Sequence, residues 1–197
     1  MKHLIITGFD PFDGADINPA WEAVSRLPDT VGDFRLTKLM IPTRFERASE
    51  KVLAAAAADP ADVILCVGQA GGRAAVTPER IAVNLMDAPI SDNAGVCPKE
   101  QPCIEGGPDG LFSTLPVKAI ADAVAAAGIP AQVSLSAGTF VCNDTLYRLS
   151  YHFRGTGTRV GFVHVPFLPQ QAADRYPSME LGDMVRALEI AINTLYK

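Results

Sequence analysis

The sequence predicts an α/β fold: a single domain with a twisted, mostly parallel sheet and helices on both faces. Apolar runs of strand length alternate with segments of helical spacing along the chain, which is the order found in α/β proteins. Residues 2–7 and 62–67 each contain a short apolar run, as expected of strands buried on both faces. A chain of 197 residues is long enough for one such domain and short for two. We therefore expect residues 1–197 to form one domain.

The N-terminal half supplies three strands, a short further strand and two helices. Asn18-Pro19 combines a helix-capping side chain with a first-turn proline, and this pair predicts a helix that continues to about residue 27. A long alanine-rich helix is predicted from residue 43 to about residue 58. The strands before, between and after these helices are predicted at residues 2–7, 34–41 and 62–67, with a short further strand at residues 81–85.

The C-terminal half begins with a long irregular segment, residues 87–113, which is rich in Pro, Gly, Asn and Asp. Loops of that length inside a compact domain are usually functional. A helix at residues 116–127 ends at Gly128, a typical C-terminal cap. Residues 131–137 alternate like a strand, and helical spacing then runs to residue 153. The last elements are predicted at residues 159–165 (strand) and 178–195 (helix).

Composition excludes several classes of partner. The net charge is −5 without charge blocks, which argues against nucleic acid and anionic membranes. No apolar run approaches the ~18 residues of a membrane span, and the N-terminus lacks the pattern of a signal peptide. We therefore expect a cytoplasmic protein whose four cysteines are reduced.

Cys142 is the first candidate for chemistry, because it follows a predicted strand and a Gly138-Thr139 break and opens a helix. The unpaired amides and the dipole of a helix N-terminus favour negative charge, so a thiol there is expected to ionise more easily. One of those amides could also bind an oxyanion. Taken alone, this stretch favours the interpretation of Cys142 as a small buried apolar residue, which most free cysteines are.

His164 gives Cys142 a partner. Ligands bind at the carboxyl ends of the strands in parallel sheets, and His164 lies near that end of the 159–165 strand. His3 lies at the opposite end of the sheet, and His152 is about 15 Å from Cys142 along the same helix. A cysteine and a histidine at one sheet edge indicate acyl transfer.

A third group usually orients such a histidine. Glu79, which follows Pro78 after a buried strand, is the strongest acidic candidate, although it fits an exposed partner of Arg80 equally well. Asp92 in the long loop is the second candidate.

The remaining cysteines and glycines suggest no cofactor. Cys66 lies within a strand, and Cys97 and Cys103 lack both a nearby histidine and the spacing of a zinc site. A disulfide between the latter two is disfavoured in a reducing compartment. The glycines of residues 68–72 do not have phosphate-loop spacing and instead let the backbone approach a small ligand. Phe9 and Phe12 bracket Pro11 at another strand end, where they could wall a small apolar slot.

Several motifs in order resemble the pyroglutamyl peptidase type I family, also called pyrrolidone-carboxylate peptidases, over nearly the whole chain. They are TGFDPFDG with NPAWEAV, GQAGGR, TPERIAVN, SDNAG, EGGPDGLFSTLPVKAI, SAGTFVCN and GFVHVPFLPQQ. The resemblance implies a compact α/β fold, frequently a homotetramer, that cleaves N-terminal pyroglutamyl residues from peptides without metal or cofactor.

The resemblance also assigns roles. The family's nucleophile, histidine and glutamate fall on Cys142, His164 and Glu79, and its additional acidic residue falls on Asp92. Other matches concern the substrate: aromatic residues that enclose the lactam ring fall on Phe9, Phe12 and Phe140, and backbone positions that meet its polar edge fall on Asn18 and Gln69.

The sequence departs from the family pattern at Pro89, where an arginine thought to stabilise the oxyanion is expected. Unless Arg73 or Arg80 supplies the missing donor, we expect Pro89→Arg to raise kcat. A catalytically weakened or non-catalytic pyroglutamyl-binding relative therefore stays open, as does a general cysteine amidohydrolase. Purine nucleoside phosphorylases share the architecture, but no arginine, serine and glycine cluster for phosphate is evident.

Overall fold

A central sheet of six strands organises the protein in the computed structural model, which describes residues 1–173 and 175–196. The spatial order of the large sheet is β2-β3-β1-β4-β8-β5, and β6 and β7 form a small antiparallel pair. The strands in chain order are β1 (Lys2–Phe9), β2 (Thr30–Val31), β3 (Phe34–Ile41), β4 (Val63–Gln69), β5 (Thr77–Pro78), β6 (Ile81–Val83), β7 (Gly110–Phe112) and β8 (Arg159–Val165).

The four inner strands are parallel to one another, whereas the short strands β2 and β5 are antiparallel additions at the two edges. Parallel strands require crossover connections, and helices provide them. The helices are α1 (Pro19–Ser25), α2 (Arg47–Ala58), α3 (Val117–Ala126), α4 (Val141–His152), α5 (Pro169–Ala172) and α6 (Leu181–Thr194).

Helices cover both faces of the sheet. Alternate residues of β1 and β4 point to opposite sides, so Leu4 and Leu65 belong to one apolar cluster and Ile5 and Ile64 to the other. The first cluster contains the buried sides of α1, α3 and α6, and the second contains those of α2 and α4. The predicted α/β class is thus confirmed.

The start of α1 lies directly against the end of β1, at the edge of the sheet where the site is found. Asn18 caps α1 as predicted, with its Oδ1 accepting from Ala20 N at 3.0 Å. A Cβ at Gly8 would lie 2.6 Å from the Cα of Trp21. Only glycine therefore allows α1 to begin directly against the end of β1.

Several predicted elements differ from the structure. Residues 131–137 form only two isolated bridges, Val76–Ala131 and Glu79–Ser134, rather than a strand. Serine side chains bond within the segment instead, as Ser134 Oγ does to Ser136 O at 3.1 Å, and such local bonds compete with sheet pairing. The helix predicted from residue 43 begins at Arg47, and the one predicted from residue 178 begins at Leu181.

The long segment after β6 is irregular as predicted, except that its end pairs with β6 as β7. The short strand predicted at residues 81–85 ends at Val83. In the described part of the chain, no helix has the length and apolar character needed to cross a membrane.

Candidate active site

A cavity of about 250 Å³ lies at the carboxyl ends of β1, β4 and β8. Parallel strands bring their carboxyl ends to one edge, so residues distant in sequence meet there. Seven of the nine site residues predicted from the sequence line this cavity, namely Phe9, Phe12, Asn18, Gln69, Phe140, Cys142 and His164.

Cys142 is the second residue of α4, at the predicted helix start. Phe140 occupies the N-cap position and offers no side-chain cap, and the first intrahelical bond runs from Asp144 N to Phe140 O at 3.1 Å. The amides of the first turn therefore have no intrahelical acceptor. They remain available beside the thiol to stabilise an oxyanion.

Gly68 provides the space that the thiol occupies. A Cβ on Gly68 would lie 2.9 Å from Cys142 Sγ and 2.7 Å from Phe162 Cζ, so a larger residue would displace the sulfur. Gly68 of β4 is the register partner of His164 of β8. The thiol thus lies against the strand next to the histidine, and both side chains line one cavity.

The thiol itself is not acidic at rest. Burial, together with the negative charge of Glu79, raises the pKa of Cys142 above its ordinary value, and the charge of Arg73 opposes this only in part. The net shift in the resting protein is therefore opposite to the lowering of the pKa expected at a helix N-terminus. A base is needed to remove the proton.

His164 and Glu79 form a buried pair suited to that task. His164 Nδ1 lies 2.7 Å from Glu79 Oε1, with Glu79 fully buried and the His164 side chain 4% exposed. An ionised carboxylate can only accept, so Nδ1 carries the proton of a neutral ring and Nε2 is left as the acceptor. Burial lowers the pKa of His164, and this effect outweighs the opposing effect of Glu79. The ring is thus held in one orientation as a neutral base.

Glu79 stays ionised although it is buried. Burial by itself would raise its pKa, but the hydrogen bond and charge of His164 and the hydrogen bond from Arg73 together lower it. Glu79 does not line the cavity and acts on it through His164. The alternative of an exposed partner for Arg80 is therefore wrong.

Arg73 is the cation at this site. It lines the cavity, and its Nη1 donates to Glu79 Oε1 and Thr77 Oγ1, each at 2.6 Å. Its Nη2 donates to Ser136 O at 2.9 Å. The sequence indicated Arg73 only as a substitute for a missing donor, because nothing in the pattern showed that it would reach Glu79.

Aromatic rings form the apolar wall of the cavity. The Phe12 and Phe140 ring centroids are 6.1 Å apart, and Phe45 packs edge-on against Phe140 at 5.4 Å. Phe45 itself lies behind the cavity lining and was not predicted from the sequence, since it precedes α2 without any periodic signal. Phe9 continues the wall and packs against Phe162 at 6.1 Å.

The polar side chains of Asn18 and Gln69 have partners of their own. Asn18 Nδ2 donates to Asp10 O at 3.0 Å, and Gln69 Oε1 accepts from Gln171 Nε2 at 3.1 Å. Thr43, a further lining residue not predicted from the sequence, is fixed through Thr43 N, which donates to Asp10 Oδ1 at 2.6 Å. These bonds shape the cavity edge around the ends of β1 and β4.

Comparison with known proteins identifies the chain. The pyroglutamyl peptidase family model matches residues 2–197. The chain belongs to the pyroglutamyl peptidase family. This family assignment confirms the resemblance of the motifs and makes the protein a cysteine peptidase rather than a nucleoside phosphorylase.

Individual relatives agree over the full length. A pyrrolidone-carboxylate peptidase of Levilactobacillus brevis is 49% identical over 98% of this chain and 96% of its own. That of Erwinia tasmaniensis is 47% identical, covering 98% and 92%. The crystal structure of pyroglutamyl peptidase I from Bacillus amyloliquefaciens has a TM-score of 0.96 at 41% identity, covering 99% of this chain and 97% of its own.

Asp92 lies outside the cavity. Its Oδ1 accepts from Ala94 N and Val96 N at 2.8 and 2.9 Å, and its Oδ2 accepts from Phe45 N at 3.0 Å. Both oxygens of this buried carboxylate thus bind the backbone. Asp92 contacts the cavity wall indirectly: it binds Phe45 N, and the Phe45 ring packs against Phe140, which lines the cavity.

A second buried carboxylate, that of Asp144, binds the backbone of Glu46, the residue after Phe45. Asp144 Oδ2 accepts from Glu46 N at 2.8 Å, and its Oδ1 accepts from Arg148 Nε at 2.6 Å. Glu46 has a φ of 61°, which is unusual for a residue with a side chain. Two adjacent amides, those of Phe45 and Glu46, are therefore fixed by carboxylates from the long loop and from the nucleophile's helix.

The remaining candidates lie away from the cavity. His3 is buried at the opposite end of the sheet, and His152 is the exposed last residue of α4. All four cysteines are free: Cys66 is buried within β4, Cys103 is buried and Cys97 is exposed. Among the described residues, no three His, Cys, Asp or Glu side chains are placed to hold a metal ion.

Pro89 is exposed and does not line the cavity. Neither does Arg80, whose side chain makes no hydrogen bond or ion pair with any described residue. Of the two arginines that could substitute for the missing donor, only Arg73 lies at the site.

Proposed function

We propose that this protein removes an N-terminal pyroglutamyl residue from peptides, with Cys142 as the nucleophile and a thioester as the intermediate. The observation that carries the proposal is a small aromatic-walled cavity that holds Cys142 and His164 and has no Asp or Glu among its described lining residues. A pyroglutamyl group has no free amine, so its site requires no acidic anchor. An ordinary aminopeptidase must instead bind an ammonium group.

The first half-reaction transfers the acyl group. His164 Nε2 accepts the proton of the Cys142 thiol as the sulfur attacks the exocyclic carbonyl carbon. The negative charge on the carbonyl oxygen is met by the first-turn amides of α4. When the C–N bond breaks, His164 returns the proton to the leaving amine, and the pyroglutamyl group remains on sulfur as a thioester.

The second half-reaction uses the same groups with water. His164 removes a proton from a water molecule that attacks the thioester, and Cys142 leaves as the thiol after His164 returns the proton. Glu79 keeps the ring oriented in both steps and stabilises the imidazolium form.

Specificity comes from the lactam ring. Phe9, Phe12 and Phe140 would enclose its flat apolar faces, and backbone groups near Asn18 and Gln69 would bond its N–H and C=O. A site that hydrogen-bonds a substrate group rejects analogues without that group, because its own polar groups are then left unpaired. We also infer a homotetramer acting in the cytoplasm without a cofactor.

The test is a panel of aminocoumarin amides. We expect hydrolysis of the pyroglutamyl amide and at least about a hundredfold lower kcat/KM for the prolyl and glutamyl amides. Equal rates on the prolyl amide would contradict lactam recognition and favour a general amidohydrolase. Tight binding of pyroglutamate with no hydrolysis would indicate a non-catalytic relative. A chelator should leave the rate unchanged, and sedimentation should give four times the mass of one chain.

A further inference from the structure

Arg73 contacts the same oxygen of Glu79 that His164 contacts. We propose that Arg73 is the permanent counter-ion of Glu79, which leaves His164 neutral at rest and free to take the proton of Cys142. The catalytic part of this inference rests on the proposed function, whereas the charge states of Arg73, Glu79 and His164 do not depend on it. Arg73 acts through Glu79 and is a positioning residue rather than a catalytic one.

Charge balance around Glu79 requires a cation. Glu79 is fully buried, and one of its oxygens, Oε2, has no hydrogen-bond partner among the described residues. Its other oxygen, Oε1, accepts from Arg73 at 2.6 Å and from His164 at 2.7 Å. A buried carboxylate is strongly unfavourable unless it is paired.

Two side chains can supply the positive charge, with different consequences. An arginine guanidinium is a permanent cation, whereas an imidazole becomes one only by taking a proton. If His164 neutralised Glu79, it would be protonated before reaction and unable to accept the thiol proton. Since Arg73 is already bonded to Oε1, His164 is relieved of that role.

The guanidinium is held in place from two sides. One nitrogen bonds Thr77 Oγ1 in β5 as well as Glu79, and another bonds the carbonyl of Ser136 in the segment that leads to α4. Arg73 therefore links edge strand β5, which pairs with the strand of His164, to the segment that precedes Cys142. A planar fork with several donors suits this geometry, and a lysine ammonium reproduces only its charge.

The charged and titratable groups that face the His164 ring are few. They are Glu79 beyond β5, Arg73 after β4 and Cys142 on α4, with the buried Cys66 thiol of β4 close to Cys142. Removing a positive charge stabilises every protonated form nearby. Without Arg73, the pKa values of His164 and Cys142 should therefore both rise, because Arg73 lowers both in the intact protein.

Titration of the imidazole by NMR tests this without any assay of activity. The protein has three histidines, so His3→Gln and His152→Gln variants assign the His164 signal. We expect wild-type His164 to be neutral at pH 7, and Arg73→Gln to raise its pKa by about one to two units. A protonated His164 in the resting wild type, or an unchanged titration in Arg73→Gln, would overturn the proposal.

Kinetics supply the second readout. In Arg73→Gln the acid limb of kcat/KM should move up by the same interval, with at least about tenfold lower activity at neutral pH that recovers in part at higher pH. Arg73→Lys keeps the charge, so its acid limb should stay near that of wild type even where kcat falls. Arg80→Gln, which removes an arginine with no ion pair to any described residue, is the matched control and should leave the profile unchanged.

The outcomes separate the two proposals. If Arg73→Gln loses activity equally at every pH, Arg73 has a structural or substrate-binding role and the charge proposal is wrong. If the wild type does not hydrolyse pyroglutamyl amides but His164 still shifts in Arg73→Gln, the charge proposal holds and the proposed function fails. Should Arg73→Gln fail to fold, an acid limb displaced in Arg73→Lys, or a protonated wild-type His164, would still reject the charge proposal.

Discussion

Two buried histidines lie at opposite ends of the parallel sheet and differ in what their rings can do. His3, at the start of β1, has partners for both nitrogens: Nδ1 lies 2.9 Å from Pro60 O and Nε2 lies 2.9 Å from Thr37 Oγ1. His164, near the end of β8, bonds only through Nδ1, to Glu79. Its Nε2 has no hydrogen-bond partner among the described residues, and the ring borders the cavity.

The two rings are equally buried, at about 4% exposed side chain each, so burial does not distinguish them. The difference is that β1 begins where His3 lies, whereas three parallel strands, β1, β4 and β8, end around the cavity that His164 borders and leave room for a ligand. A pair of cysteines makes the same contrast. Cys66 is enclosed within β4, where burial raises its pKa to about 12, whereas Cys142 borders the cavity at a helix start.

The largest predicted effect concerns the two cysteines. Cys142→Ala should lower kcat by at least about 10⁴-fold, since the nucleophile is lost. Cys66→Ala should lower the melting temperature through the space it leaves in the core, with kcat nearly unchanged. Assays and thermal melts of both variants, with Cys97→Ala as a surface control, measure this. Comparable inactivation by Cys66→Ala or Cys97→Ala would show that the assignment of Cys142 as the nucleophile is wrong.

Variants of the two histidines, His164 and His3, should differ in the same way, one in activity and the other in stability. His164→Gln should lower kcat by roughly 10³-fold or more, because no base remains for the thiol. His3→Gln should cost about 1–3 kcal/mol of stability through its two buried hydrogen bonds, with activity retained in the folded fraction. A crippled His3→Gln enzyme of normal stability would show that the two sheet ends are not functionally distinct. The exposed His152→Gln is the matched control for both.

Asp92 sharpens the comparison at a smaller scale, because it supports the cavity wall without lining it. Asp92→Asn should weaken the hold on Phe45 and raise KM by less than about tenfold, with a smaller effect on kcat. Steady-state kinetics on the pyroglutamyl amide measure the split. Asp122→Asn, which alters an exposed ion pair with Lys118, is the control. A fall in kcat without a change in KM would instead place Asp92 in the chemical step.

The smallest effect is expected at Pro89. The structure places Arg73 rather than Pro89 at the cavity, so we expect Pro89→Arg to raise kcat by less than about threefold, within the range of ordinary surface substitutions. A tenfold or larger rise at unchanged KM would show that the oxyanion site lacks a donor that neither Arg73 nor the backbone supplies.

The comparison also shows how far the sequence could predict the site. Cys142 and His164 could be placed together because the apolar runs of β1, β4 and β8 predict a parallel sheet, and such a sheet gathers its carboxyl ends at one edge. The same logic places His3 at the wrong end. The N-cap Asn18 and the start of α4 follow from local signals that need no tertiary contact.

Contacts between distant residues could not be predicted. Phe45 is fixed behind the cavity lining because Phe45 N donates to Asp92 and Glu46 N donates to Asp144, across 47 and 98 residues of sequence. Arg73 meets Glu79 only because the connection after β4 folds back against β5. Residues 131–137 alternate like a strand, yet serine side chains there bond the backbone locally, and tertiary context outweighs the periodic pattern.

The central claim is that chemistry occurs at Cys142 in the cavity at the carboxyl edge of the sheet. The most direct measurement is to treat the protein with a chloromethyl ketone of pyroglutamate and locate the adduct by peptide mass spectrometry. We predict one equivalent of label, on Cys142 alone, slowed by excess pyroglutamyl substrate and lost in His164→Gln. Labelling of Cys97 at a similar rate, or labelling of Cys142 that substrate does not slow, would contradict the account.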